Sequence, residues 1–312
     1  MAMTSTDKPR VAFIGLGNMG GPMAANLVGA GYAVTGFDPS PAAASTAAEA
    51  GVTLAGSASA AAQDAQVVIT MLPSGKHVLD VYEGRSGDAP VLAAAAPGAL
   101  LVDCSTIAVD DARAAADAAR AAGHRAVDAP VSGGVGGATA GTLTFMVGAA
   151  DADLEAVRAV LEPMAGRVVH CGDSGAGQAA KICNNMILGI SMIAVSEAFV
   201  LGERLGLTHQ ALFDVASTAS GQCWSLTTNC PVPGPVPTSP ANRDYAPGFA
   251  SPLMAKDLGL AMTAAETTHT GTRMGELAAA IYREFASGDG AALDFSAIIG
   301  AIRDEQNEGA AS

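Results

Sequence analysis

The chain has 312 residues, 50% of them hydrophobic and 15% charged, with a formal net charge of −14. That length supports a sizeable core and two domains rather than one, and the acidic balance argues against partners that recruit clustered Lys and Arg, such as nucleic acid or an anionic membrane surface. Five cysteines, Cys104, Cys171, Cys183, Cys223 and Cys230, form no CxxC pair and no zinc-type spacing, so they read as small apolar residues in a reducing compartment, with no disulfide framework and no metal.

The opening MAMTSTDKPR is polar and runs straight into VAFIGLG. Without an apolar signal core or an Arg-rich transit segment, it predicts a cytoplasmic location of bacterial type. From there to about residue 172, short β-branched runs alternate with Ala-rich helical stretches: VAFI (11–14), AVTGFD (33–38), VVITML (67–72), ALLVDCS (99–105), RAVDAP (125–130), LTFMVG (143–148) and RVVHC (167–171). This rhythm predicts βαβ units and a mainly parallel sheet covered on both faces. After Gly172 the strands stop, and helices are expected at 174–206, 208–219, 251–269, 273–287 and 294–307. The expected division is therefore 1–172, α/β, and 173–312, all-α. The apolar stretch ILGISMIAV is shorter than the roughly 20 residues that span a bilayer, and reads as a core helix. Seven prolines between Pro231 and Pro252 exclude a regular helix or central strand there; a connection so long inside a domain is functional or disordered.

GLGNMG at 15–20 fits GxGxxG between a strand and a helix expected to start near Asn18, and Asp38 ends the next strand about 20 residues on. Gly15 permits the tight turn, Gly17 lets a pyrophosphate approach the backbone, and Gly20 lets the helix pack on its strand, with free N–H groups at the helix start for the phosphates. Asp38 would accept hydrogen bonds from the adenine-ribose hydroxyls. Pro39 and Ser40 follow it where an Arg would answer a 2′-phosphate, so NAD is expected over NADP. Further on, in DAPVSGGVGGATAG (128–141), Ser132, Gly133 and Gly134 offer a hydroxyl and unobstructed N–H groups, either a nest for a carboxylate or an ordinary glycine-rich loop.

Lys181 is the only charged residue between Asp173 and Glu197. Burial disfavours an ammonium, so such a lysine either reaches water along its stem or serves chemistry. On a helix Gly177, Lys181 and Asn185 share one face, with Gly177 leaving room above the lysine. Hydride transfer from an alcohol to nicotinamide needs a general acid/base titrating near the working pH, and a poorly hydrated cleft beside a cationic ring would bring a lysine down from about 10.4 toward that range. Lys256 and Asp257, adjacent in LMAKDLGLA, are expected to face different neighbours, as a solvated pair.

Taken together, FIGLGNMGGPMAANL, DAPVSGG, GQAAKICNN and KDLGLA resemble the β-hydroxyacid dehydrogenase family, in the same order and over nearly the whole chain. GQCWS (221–225), NCPVPGPVP and NRDYAPGFASPLMAKDLGLA are similar to the branch that oxidises 3-hydroxyisobutyrate to methylmalonate semialdehyde in valine breakdown. The resemblance implies an N-terminal Rossmann dinucleotide-binding domain, a long interdomain helix and an all-α C-terminal domain that contributes to homodimers or homotetramers. It also implies a small hydroxy-acid substrate and NAD, with Gly15, Leu16, Gly17, Asn18, Met19, Gly20 and Asp38 at the cofactor. Leu72, Pro73 and Thr106 would line the cofactor too, and Lys256 would touch its nicotinamide half. Lys181 becomes the acid/base; Ser132, Gly133, Gly134 and Asn185 bind substrate, with Phe249 and Asp257 closing the pocket. Asn is frequent in relatives where His77 stands. Relatives acting on L-serine, D-glycerate, tartronate semialdehyde or another small semialdehyde are the nearest alternatives, because a methyl-sized change in a pocket is worth only about 1–3 kcal/mol. A phosphogluconate-type substrate would want an Arg/Lys cluster that the helical half lacks. From another class, a non-catalytic nucleotide-binding scaffold would have no reason to keep Lys181, Gly177 and Asn185 on one face.

Overall fold

A computed structural model describes residues 8–85 and 87–310, with the side chains of 305–310 excepted. Most of the polar opening segment read above therefore lies outside the described residues. The chain divides into two compact units, one ending at Lys181 and one beginning at Ile182.

Among the described residues the first unit is built on nine strands: β1 Val11–Ile14, β2 Val34–Phe37, β3 Thr53–Leu54, β4 Val67–Thr70, β5 Leu100–Asp103, β6 Arg125–Asp128, β7 Val131–Ser132, β8 Leu143–Gly148 and β9 Ala165–Gly172. They form one sheet in the order β3-β2-β1-β4-β5-β6-β8-β7, with β9 on β8. β3 through β6 pair in parallel, whereas β8 runs antiparallel to β6 and β7 and parallel to β9. All seven expected strands are present. The two additional ones, β3 and β7, have two residues each, too short for a period-2 pattern to announce them.

Alternation along β1 explains the layering. Val11 and Phe13 enter a core completed by Met23, Ala24 and Leu27 of the helix Gly20–Gly29, while Ala12 and Ile14 enter a second core on the opposite face. Parallel strands buried on both sides read as continuous apolar runs, as VAFI and VVIT do. On the second face the helix Val109–Ala121 presents Ala112, Ala115, Ala116 and Ala119 to the sheet, a stripe at helical spacing whose small side chains let it lie close.

In the second unit the first element is the remainder of the helix Ala176–Arg204. Gly206, at φ +85°, stops that helix, and the N–H of Leu207 returns to Gly202 O, the left-handed glycine ending that helices favour. Among the described residues it is long and apolar enough to cross a membrane by length and composition. Its Met192, Ile193, Phe199 and Val200, however, form a core with Met254 and Leu258 of Ser251–Thr267, with Tyr282 of Arg273–Ser287 and with Ile298 and Ile299 of Ile298–Ala310. Thr208 begins the helix His209–Ala216 by accepting the N–H of Ala211 at 3.1 Å, a conventional N-cap.

The proline-rich segment is folded into this unit. Val232 and Val236 are buried in its core. Tyr245 Oη donates to Pro231 O at 2.8 Å, Ser239 Oγ to Cys230 O at 2.5 Å, and Gly234 N to Asn242 Oδ1 at 2.9 Å. Side-chain bonds thus supply the partners that prolines deny to a helix or ladder.

Candidate active site

The turn from β1 into the helix at Gly20 is GLGNMG, and its glycines have different causes. Gly15 takes φ +93°, and a Cβ there would lie 2.2 Å from Met71 O; a Cβ on Gly20 would lie 1.9 Å from Gly15 O. The fold itself requires both. Gly17 is different, because no atom lies within 4 Å of the place a Cβ would take. The open space there fits the approach of a pyrophosphate to backbone N–H groups. Gly17 and Asn18 are exposed, Met19 packs on the core, and Leu16 is buried in it. The N–H of Leu16 is given to Asp38 Oδ2 at 2.7 Å, and Asp38 Oδ1 accepts from Ser40 N at 2.8 Å. Asp38 is thereby fixed beside the glycine turn at the end of β2. The helix expected near Asn18 is assigned from Gly20, with the N–H of Gly21 already donating to Gly17 O at 2.9 Å.

β4 and β5 end side by side on a buried polar knot. Asp103 Oδ1 accepts from Thr70 Oγ1 at 2.8 Å, Ser105 Oγ at 2.6 Å and Ser105 N at 3.2 Å; Ser105 Oγ in turn accepts the N–H of Leu72 at 2.8 Å. Leu72 is bonded to this knot, and Pro73 and Thr106 are its chain neighbours. His77 bonds Ser74 Oγ through Nδ1 at 2.8 Å at the start of the helix Gly75–Glu83. Asp103 Oδ2 is buried without a hydrogen-bond partner, and burial raises this carboxyl from 3.8 to about 6 against the lowering effect of Ser105 and Thr70. The folded chain therefore holds a proton that the unfolded chain releases. The associated stability is fully present below about pH 4 and is lost as pH rises through 6. From pH 5 to pH 7.5 this group should cost roughly 1 kcal/mol. Urea unfolding at the two pH values should show Asp103→Asn lacking that part of the slope.

β6 ends at Asp128 and leads directly to Ser132, Gly133 and Gly134. Gly133 and Gly134 take φ +137° and +61°, and the short helix Gly134–Ala140 begins there. Asp128 is itself buried, its Oδ1 accepting from Gly175 N at 2.7 Å and its Oδ2 from Gln178 N at 2.9 Å. Burial raises its pKa against these bonds. Gln178 is fully buried and joins the same scaffold, donating from Nε2 to Ser105 O at 2.7 Å and accepting at Oε1 from Ile107 N at 3.2 Å. Lys181 follows and is buried, 6% exposed. Gly177 also has another reason than room above the lysine. A Cβ on it would lie 2.3 Å from Met146 O and 2.8 Å from Asp128 O, so this glycine seats the helix start on the sheet. These contacts explain why the first unit runs through Lys181 and does not end after Gly172.

In the second unit Asn185 is 1% exposed and donates from Nδ2 to Asp257 Oδ2 at 2.6 Å, while its Oδ1 accepts from Asn184 at 3.0 Å. Lys256 Nζ lies 3.6 Å from Asp257 Oδ1. The expectation of a solvated pair facing different neighbours is corrected here: Asp257 is buried, and the long lysine stem lets the ammonium fold back to its neighbour's carboxylate. Phe249 is half-buried against Phe295 with ring centroids 5.7 Å apart, and its N–H and that of Gly248 both donate to Asp294 Oδ2 at 2.9 Å. Among the described residues no three His, Cys, Asp or Glu are grouped to hold a metal, and all five cysteines are free.

The supporting residues Asp103, Ser105, Asp128, Gln178 and Asp294 escaped the sequence reading. Asp128 and Gln178 lie inside the quoted motifs DAPVSGG and GQAAK, so their neighbourhood was visible. Asp294 carries no sequence signal of its own.

Residues 10–172 match the family described as the NAD binding domain of 6-phosphogluconate dehydrogenase, and residues 175–302 that described as NAD-binding of NADP-dependent 3-hydroxyisobutyrate dehydrogenase. The chain is 57% identical over 293 residues to a probable 3-hydroxyisobutyrate dehydrogenase of Mycobacterium tuberculosis, covering 94% of this chain and 97% of that one. It is 46% identical to an NAD-dependent L-serine dehydrogenase of Pseudomonas aeruginosa, covering 93% and 96%. The solved structure of M. tuberculosis 3-hydroxyisobutyrate dehydrogenase with L-serine is similar at a TM-score of 0.90 and 57% identity, covering 95% of this chain and 99% of that one.

Proposed function

We propose, from the premise that the chain belongs to the 3-hydroxyisobutyrate dehydrogenase family, that it oxidises 3-hydroxyisobutyrate to methylmalonate semialdehyde with NAD, using Lys181 as general base. The observation that carries this reading is the burial of Lys181 in a helix whose first turn is bonded to the strand leading into Ser132–Gly134. A hydroxyl and consecutive glycine N–H groups suit a carboxylate in a chain with net charge −14 and few cations to spare. Bound NAD supplies the hydride acceptor. Lys181 takes the hydroxyl proton as the carbinol C–H bond breaks, so the products are the semialdehyde, NADH and a proton. Asn185, Phe249 and Asp257 are assigned to substrate and Lys256 to the cofactor, each by its motif.

NAD is assigned over NADP because Asp38 stands fixed at the end of β2 with Ser40 beside it; a 2′-phosphate would meet a carboxylate and no counter-charge. L-serine is the second reading, favoured by the serine in the similar solved structure. It differs from 3-hydroxyisobutyrate only by an ammonium in place of a methyl on the carbon bearing the carboxylate. Initial rates with NAD and NADP on (S)- and (R)-3-hydroxyisobutyrate, L-serine and D-glycerate test the assignment. The expected result is the highest kcat/KM for 3-hydroxyisobutyrate with NAD, and a higher value for serine would replace the substrate while keeping the chemistry.

The same reading includes a cytoplasmic homodimer or homotetramer. It is supported by free cysteines and by apolar side chains exposed in the second unit, among them Ile187 at 64% and Leu201 at 58% on the helix Ala176–Arg204 and Leu205 at 73% just after it, which are unusual on a monomer when they lie so close along one element. Sedimentation equilibrium should return two or four chain masses; one chain mass at micromolar concentration would remove this part.

A further inference from the structure

We infer that Asp128 is a positioning residue for Lys181: its buried carboxylate sets the placement of the helix start, and thus of the lysine, against the Ser132–Gly134 loop. The inference rests on the assignment of Lys181 as base and goes beyond it, to what fixes that base in place.

The geometry is unusual for a helix cap. Capping oxygens normally come from the residue just before the helix, whereas the carboxylate here comes from the end of β6 and accepts the N–H of Gly175, the residue before the helix, at 2.7 Å and that of Gln178 in its first turn at 2.9 Å. A carboxylate satisfies the unpaired donors of that turn and interacts favourably with the helix dipole. Both ends of the link are rigid. On the strand side, Ala129 N donates to Asp103 O at 2.7 Å, Met146 N donates to Pro130 O at 3.0 Å, and Val131 pairs with Phe145. On the helix side, Gln178 is held by Ser105 and Ile107, and Gly177 admits Met146 O and Asp128 O to a distance that any side chain would forbid. Lys181 follows Gln178 within one helical turn, so a shift or rotation of that turn is passed on to its stem. Ser132 follows Asp128 in the same chain segment. One carboxylate therefore registers the base against the loop assigned to the substrate carboxylate. Proton transfer is sensitive to such registration, since a displacement near 1 Å can cost about 10²-fold in rate.

The test is a double-mutant cycle in the full-length enzyme with 3-hydroxyisobutyrate and NAD, using Asp128→Asn, which preserves shape and one acceptor, and Asp128→Ser, which keeps a single shorter acceptor. Each is combined with Lys181→Ala. The expected result is a kcat at least 10-fold lower in the Asp128 single variants, with the dissociation constant of NAD within twofold. In the Lys181→Ala background the same change should cost less than threefold, because a residue acting through the lysine has nothing left to position. An equal loss in both backgrounds, an unchanged kcat, or the failure of both Asp128 variants to give folded protein would overturn the inference in favour of a purely structural cap. Retained turnover in Lys181→Ala alone would instead remove the base assignment on which it rests, so the two failures are distinguishable.

Discussion

Lys181→Ala should lower kcat for 3-hydroxyisobutyrate by about 10²–10⁴, the range general acid/base catalysis supplies, while the dissociation constant of NAD stays within threefold. The residues assigned to the cofactor's phosphates and ribose, Gly17 and Asp38, belong to the β1–β2 region and do not depend on the lysine for their bonds. Two further variants separate charge, volume and proton transfer. Lys181→Met keeps most of the stem in a site only 6% exposed and should fold as the parent does, since it avoids the cavity that an alanine would leave. Lys181→Arg keeps a positive charge but cannot be deprotonated in the working range, so it should lose nearly as much turnover as the alanine. If the arginine variant retained more than a tenth of the parent kcat, charge alone would account for the residue and the general-base role would fall. Rapid mixing with NAD and substrate distinguishes these cases directly, because loss of the base slows the appearance of NADH absorbance in the first turnover.

The sequence announces elements whose pattern is long or doubly buried and is silent about geometry that closes at a distance. VAFI, VVIT and LTFMVG are visible because a strand covered on both faces is apolar throughout; β3 and β7, with two residues each, have no pattern to read. Lys181 is legible because a single charge in an apolar run demands a reason. Asp128 is not, because an aspartate after a strand looks like any turn residue until Gly175 and Gln178, more than forty positions on, are seen to donate to it. Helical periodicity locates Gly177 beside Lys181 but cannot show that Met146 O and Asp128 O stand against it. The Lys256–Asp257 contact is hidden from the sequence for a related reason, since Cβ directions describe where stems begin and a lysine is long enough to turn back. The proline-rich segment forbade regular structure, and that was legible. Its bonds to Asn242, Ser239 and Asp294 come from residues that carry no such signal individually.

The glycine turn offers the sharpest division between fold and function, because one sequence pattern holds residues required for opposite reasons. Gly17→Ala should fold with a melting temperature at or slightly above that of the parent. Its Cβ would meet no protein atom within 4 Å, and alanine restricts the unfolded chain by roughly 0.4–1 kcal/mol relative to glycine where the native backbone accepts it. Its affinity for NAD should nevertheless fall at least tenfold, because the added methyl occupies the space through which a pyrophosphate reaches the backbone. Gly20→Ala should show the reverse order of events. Its Cβ would lie 1.9 Å from Gly15 O, a backbone atom held in turn by the close approach of Gly15 to Met71 O, so neither side can yield without unseating the helix from β1. A loss above about 4 kcal/mol is expected for such a collision, enough to leave little folded protein at 37 °C. Differential scanning fluorimetry with and without NAD reads both variants: the parent should gain stability from NAD, and Gly17→Ala should keep its unliganded melting temperature while losing most of that gain. A full NAD-induced shift in Gly17→Ala would mean that the open space at residue 17 is not where the phosphates lie, and the cofactor would have to be sought away from the β1 turn.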